Sequence, residues 1–181
     1  MSRASSFCFS ANEIIKRFPK EPLTIVETGT IRNFYNDGDG WSTLMWQDLA
    51  RNSGGQCWTC DVSRENLNFC RTVLKTHNKN DNNVSFVECD SVQFLKLFDK
   101  RIHLLYLDSL DTDEQLNCCV HQVNEAFAAI NKIYKKGLVL IDDIYDDKVF
   151  SGKGRFSVPF LLSNGFKILN YDNPQLLMGR I

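Results

Sequence analysis

The chain has 181 residues, 43% hydrophobic and 24% charged, which suits a single globular domain, 1–181, with a full-sized core. Its formal net charge of −1 gives no general attraction to phosphate backbones or anionic membranes, so a nucleic-acid partner is not expected without a local basic patch. No apolar run approaches the roughly 20 residues that span a bilayer, and MSRASSFCFS lacks the continuous apolar stretch of a signal peptide, so no membrane partner and a cytoplasmic location are expected.

FSANEIIKRF (9–18) predicts a leading helix. LTIVET (23–28) then reads as a strand, and the polar, glycine-bearing segment IRNFYNDGD separates it from a helix over 42–52. The same alternation continues with strand QCWTCDV (56–62), helix 64–77, strand VSFVECD (84–90), helix 91–98, strand HLLYLDS (103–109), helix 113–135 and strand GLVLIDD (137–143). Strands that are apolar on both faces and alternate with helices predict a parallel sheet covered on both sides.

After the fifth strand, YDDKVFSGKGR reads as a loop and Val158 to Asn164 as a short helix closed by Gly165, with Pro159 in its first turn. FKILNYD and QLLMGRI are separated only by Asn173 and Pro174, too short a link for a crossover, so they predict an antiparallel hairpin. The fold class expected is α/β: a Rossmann-like seven-stranded sheet, mostly parallel, with a C-terminal antiparallel hairpin and helices on both faces. The seven cysteines are an odd number scattered through apolar segments, which suits reduced, buried thiols. Cys57-Trp58-Thr59-Cys60 has a metal-like spacing, but no second pair accompanies it, and buried small apolar residues in a strand are the expected reading.

Each of the first five strands carries an acid in or at its C-terminal part: Glu27, Asp61, Asp90, Asp108, and the pair Asp142 and Asp143. In an open α/β sheet ligands bind outside those strand ends, so the acids should converge on one site, although any one of them can cap the helix that follows. A dinucleotide would want G-x-G-x-x-G after the first strand, yet Gly29 stands alone until Gly38 and Gly40. Glu27, two residues before Gly29, is a poor neighbour for a diphosphate and a good one for a cation. S-adenosylmethionine has an ammonium, a sulfonium and ribose hydroxyls but no phosphate, and it suits such a rim.

The order of elements, the VETGT segment and GWSTL together resemble class I S-adenosylmethionine-dependent methyltransferases, in particular the catechol and caffeoyl-CoA O-methyltransferases, over essentially the whole chain. IRNFYNDGD is an insertion relative to those relatives. The resemblance implies that Glu27 and Gly29 line the methionine part of the cofactor and that Ser42 meets its carboxylate. It also implies that Asp61 accepts from the ribose hydroxyls, and that Asp90 and Ser91 lie beside the adenine, Asp90 being equally able to cap helix 91–98.

Catechol-type relatives hold Mg2+ with an Asp after the fourth strand and an Asp-Asn pair after the fifth, which implies Asp108, Asp142 and Asp143 as metal ligands here, with Asp in place of Asn. Neighbouring strand ends lie about 4.8 Å apart, near enough to share one cation; the alternative is that one of the pair caps the following loop with no metal. Asp108 stands at the expected reaction centre, beside the cofactor. Where catechol-type enzymes have a Lys three residues beyond the first ligand, this chain has Asp111, one candidate base; His121 is another. At roughly 1.5 Å per residue, His121 lies about 12 Å along the helix from Asp113, and Glu125 at i+4 offers it a plain packing partner. The loop from Tyr145 to Arg155 is a candidate cover for the site, with Lys153 and Arg155 facing an anionic substrate, and Arg32, Phe34 and Tyr35 a candidate aromatic wall.

The function expected is methyl transfer to a small-molecule acceptor, on oxygen, with S-adenosylmethionine and a possible Mg2+. Two alternatives stay open: a metal-independent N-methyltransferase, and a non-catalytic subunit that binds S-adenosylmethionine. Oligomeric state and acceptor identity are not legible.

Overall fold

The computed structural model describes residues 3–33, 41–77, 81–112 and 115–180. Seven strands form one sheet: β1 (Thr24–Thr28), β2 (Gln56–Asp61), β3 (Val84–Glu88), β4 (Ile102–Leu107), β5 (Ile133–Ile141), β6 (Phe166–Asp172) and β7 (Gln175–Arg180). Their order is β3-β2-β1-β4-β5-β7-β6. The first five pair in parallel, and β7 runs antiparallel to both β5 and β6, as the short Asn173-Pro174 link requires. The chain order reverses between β1 and β4, the position where such sheets open a crevice.

Among the described residues six α-helices cover the sheet: α1 (Ala4–Arg17), α2 (Ser42–Asn52), α3 (Arg64–Thr76), α4 (Ser91–Leu97), α5 (Gln115–Ala129) and α6 (Gly154–Ser163). Alternation along the central strands sends neighbouring residues to opposite layers. Ile25, Leu104, Leu138 and Leu140 pack with Phe7, Ile14 and Trp46 of α1 and α2, while Val26, Leu105, Val139 and Ile141 pack with Leu95, Ala126 and Leu161 of α4, α5 and α6. Cys57 and Cys60 fall in different layers for the same reason, so their spacing cannot clamp one ion. None of the described cysteines is in a disulfide. Among the described residues no helix is long and apolar enough to cross a membrane.

Three boundaries differ from the sequence reading. The leading helix starts at Ala4, five residues early, because Phe7 already packs edge-on against Trp46 and Tyr106, at 5.3 and 5.6 Å between ring centres. The helix expected over 113–135 ends at Ala129, and β5 begins at Ile133. Ile130, Ile133 and Tyr134 satisfy helical spacing, but Ile133 pairs with Ile102 and is fully buried there, so sheet pairing overrides the pattern. Finally, α6 starts at Gly154, which leaves Pro159 inside the helix rather than in its first turn.

Trp46 is fully buried at the α1–α2–β4 junction. Trp46→Ala should cost about 3–5 kcal/mol of unfolding free energy, read from urea denaturation followed by circular dichroism.

Candidate active site

A cavity of about 530 Å³ opens at the C-terminal ends of the parallel strands. Gly29 and Thr30 line it after β1, Asp61 and Ser63 after β2, Cys89, Asp90 and Ser91 after β3, and Asp108 to Asp111 after β4. Asp143 after β5, His121 from α5, Asn66 from α3, Arg3 and Arg32 add to the wall. Of the expected site residues, Gly29, Asp61, Asp90, Ser91, Asp108, Asp111, His121 and Asp143 are therefore gathered at one cavity.

Gly29 is required by the backbone. Its φ is +81°, and a Cβ there would stand 2.4 Å from the carbonyl oxygen of Asp108, so only glycine lets the β1 loop press against the β4 loop. Glu27, expected at the cofactor, lies instead behind that loop and is fully buried. It accepts from the Ser42 hydroxyl and from Thr43 Oγ1 at 2.6 Å, tying the start of α2 to β1. Ser42, expected to meet a ligand carboxylate, thus spends its hydroxyl on Glu27, and among the described residues neither lines the cavity. Burial pushes the Glu27 carboxyl up to about 7, against the pull of the hydrogen bonds from Ser42 and Thr43.

Asp61 is held in place by its own helix start: Ser63 N donates to Oδ1 at 2.8 Å and Asn66 Nδ2 lies 3.3 Å from both oxygens. Asp90 caps α4 by accepting from Gln93 N at 2.9 Å and still lines the cavity, so the two readings of this residue are compatible. Ser91 Oγ lies 2.8 Å from His121 Nε2, which is 3.6 Å from Glu125 Oε1. The imidazole, whose pKa is raised by its bond to Glu125, is both a helix-packing partner and part of the cavity wall. It stands beside Ser91 of α4.

Asp111 forms a two-pronged ion pair with Arg32, at 2.7 and 2.8 Å. The guanidinium holds its carboxyl below the usual range, which makes it a weak base. This pair joins the loops after β1 and β4. Phe34 and Tyr35 of the expected aromatic wall, Gly38 and Gly40 of the insertion, and Asp113 of the expected helix start lie outside the described residues.

The three carboxylates expected to hold a metal meet protein cations. Lys153 Nζ lies 2.9 Å from Asp108 Oδ1 and 2.9 Å from Asp143 Oδ2. Arg3 Nε reaches both oxygens of Asp142, at 3.1 and 2.8 Å, and Arg3 reaches Asp143 Oδ1 at 3.2 Å. The Tyr106 hydroxyl donates to Asp142 and lies 3.2 Å from Asp108 Oδ2. Among the described residues no group of three or more His, Cys, Asp or Glu is arranged to hold a metal ion. The donor set thus does not fit Mg2+. Burial pushes the Asp108 carboxyl up to about 7, with the Lys153 ammonium pulling the other way.

Lys153 itself corrects a second expectation. Its side chain is 2% exposed, so it faces the half-buried carboxylates of Asp108 and Asp143 and not an anionic substrate. The loop that carries it is pinned by its own hydrogen bonds: Asp146 accepts from the backbone of Lys148, Val149 and Ser151, and Lys153 N donates to Asp143 O. Sequence reasoning missed Arg3, Tyr106 and Asn66. Only the G-K-G after the acidic pair carried a signal.

The comparisons agree with this geometry. A family profile described as "Methyltransferase domain" matches residues 37–144, more than half of the chain. The sequence matches no curated protein. Among solved structures, the chain is similar to an SAH-bound methyltransferase of Podospora anserina (TM-score 0.66, 17% identity, 93% of this chain and 75% of that one). It is also similar to a candidate caffeoyl-CoA O-methyltransferase of Staphylococcus aureus (TM-score 0.68, 14% identity, 97% and 83%). A third is an rRNA methylase of Streptococcus thermophilus (TM-score 0.62, 12% identity, 96% and 95%).

The pH dependence of stability tests the Glu27 environment. In the unfolded chain Glu27 ionises near 4.5, in the folded one near 7, so the unfolded state loses its proton first and stability falls as pH rises between those values. The loss is on the order of 3 kcal/mol, and Asp108 adds to it with the same sign. Glu27→Gln should give a shallower decline in Tm from pH 5 to pH 8 in a calorimetric series.

With the sheet order, the rim cavity and the matched profile together, the chain belongs to the methyltransferase-domain family and is a class I S-adenosylmethionine-dependent methyltransferase.

Proposed function

We propose that the enzyme methylates an oxygen of a small-molecule acceptor, with Asp61 at the ribose, Asp90 and Ser91 at the adenine, Gly29 at the methionine part and Asp108 taking the acceptor's proton. The observation that carries this reading is the cavity rim itself, where these side chains from four successive strand ends meet. S-adenosylmethionine supplies an electrophilic methyl group when bound.

The residues of the chain do the rest by placement. Asp61, fixed by Ser63 and Asn66, presents oxygens that suit a pair of hydroxyl donors. The glycine at 29 lets the backbone stay close to the ligand while Glu27 holds the β1 loop from behind. Asp108 borders the cavity with a pKa near 7, which suits a group that must take a proton near neutral pH. Asp111, bound to Arg32, and His121, engaged by Ser91 and Glu125, are less suited, and neither is needed as base.

The O-methyl reading also draws on the S. aureus relative and on a candidate O-methyltransferase of Klebsiella pneumoniae (TM-score 0.66, 15% identity). The rRNA methylase favours a second reading, an RNA acceptor. The acidic rim and the net charge of −1 give RNA little electrostatic purchase, which weighs against it.

Two variants test the proposal. Asp61→Ala should weaken S-adenosylhomocysteine binding at least about tenfold in isothermal titration, the loss of one or two charge-assisted hydrogen bonds. Unchanged affinity would remove Asp61 from the ribose site. Asp108→Asn should keep that affinity and lower turnover by roughly 10²–10⁴ across a panel of phenols and other hydroxyl acceptors. Methylation of RNA fragments in the same assay, with none of the small acceptors used, would favour the second reading.

A further inference from the structure

We propose that the Lys153 ammonium, with the Arg3 guanidinium, stands where a divalent cation would bridge the ends of β4 and β5, and that Lys153 positions Asp108 without any metal.

The first ground is saturation. Each of the three carboxylates has two oxygens, and five of the six accept from a protein donor, the sixth, Asp108 Oδ2, lying 3.2 Å from the Tyr106 oxygen whose proton goes to Asp142. Lys153 meets Asp108 Oδ1 and Asp143 Oδ2, and Tyr106 lies at Asp108 Oδ2. Arg3 covers both oxygens of Asp142 and Oδ1 of Asp143, and Asp142 accepts further from Asp143 N at 2.7 Å and Gln175 Nε2 at 3.1 Å. A hard divalent ion needs about six oxygen ligands, and here it would have to take them from charged donors.

The second ground is that the ammonium is built in. Its side chain is 2% exposed, and it spans the same two strand ends that a metal would span. The backbone that delivers it has no slack: a Cβ at Gly152, where φ is +91°, would lie 1.9 Å from Asp143 O, and one at Gly154 would lie 2.0 Å from Ile144 Cδ1. Expelling such a group would leave Asp108 without its cation and Asp143 with Arg3 alone. With the acids ionised, three negative charges against two positive ones leave a single negative charge at the rim, on Asp108's side of the cavity. Asp108 Oδ1 is fixed by Lys153, which sets how the carboxylate sits at the cavity edge.

The meaning for catalysis rests on the function proposed above, whereas the cation balance is read without any turnover. Wild-type protein titrated with MgCl2 by calorimetry, and with MnCl2 by loss of the free-ion EPR signal, should show no saturable binding, and EDTA should leave its Tm unchanged. Lys153→Met should lower Tm by about 10 °C in EDTA. It should also acquire saturable Mg2+ or Mn2+ binding that recovers part of that loss, which Lys153→Met/Asp143→Asn should not. A merely structural lysine would be replaced with no gain of cation affinity.

Saturable binding of either ion to wild type that Asp143→Asn abolishes would overturn the proposal, as would a Lys153→Met protein whose stability ignores both ions. If that variant does not fold, the wild-type titrations decide alone. S-adenosylhomocysteine titrated into the same samples, with and without MgCl2, separates the two readings. No binding under either condition would end the cofactor assignment and leave the cation result standing.

Discussion

Carboxylates gathered at one edge of a parallel sheet are expensive to keep ionised, because burial removes the water that would otherwise solvate them, and like charges a few ångströms apart repel. Asp108, Asp142 and Asp143 stand in that situation at the ends of β4 and β5. Their compensation by Lys153 and Arg3 fixes the loop after β5, the first turn of α1 and the hydroxyl of Tyr106 in one arrangement. The shape of the cavity next to them follows from that balance.

The other side of the rim is organised differently. Asp61 and Asp90 are satisfied by local donors at the starts of α3 and α4, so each acid both begins a helix and borders the cavity. Such a pairing uses one residue type for two purposes: a short acceptor that ends a strand cleanly also borders the cavity. Glu27 is the exception, a buried acid that braces the β1 loop through Ser42 and Thr43. The cavity thus combines acids that face outward with one that works from behind.

Much of this was legible in the chain. The seven strands, their parallel-then-hairpin order and the acids at their ends follow from hydrophobic period, turn length and composition, all of them local properties. Of the strand-end acids, Asp61, Asp90, Asp108 and Asp143 line the cavity, whereas Glu27 and Asp142 do not. What was not legible depended on long-range placement: Arg3 meets a residue 139 positions away, and no local pattern marks it. Lys153 was visible as a charge between two glycines, but whether such a lysine faces solvent or a buried acid is decided by the loop's packing. Ile133 failed for the opposite reason, because its spacing fits helix and strand alike and only pairing with Ile102 decides.

Asp142 also gathers its partners from distant parts of the chain, Arg3 near one end and Gln175 in the last strand, with Tyr106 from the middle. During synthesis β4 and β5 would therefore emerge with this acid incompletely shielded until β7 inserts beside β5. A chain released before residue 175 would carry every cavity-lining side chain named here and still lack the amide that completes the shielding of the fully buried Asp142.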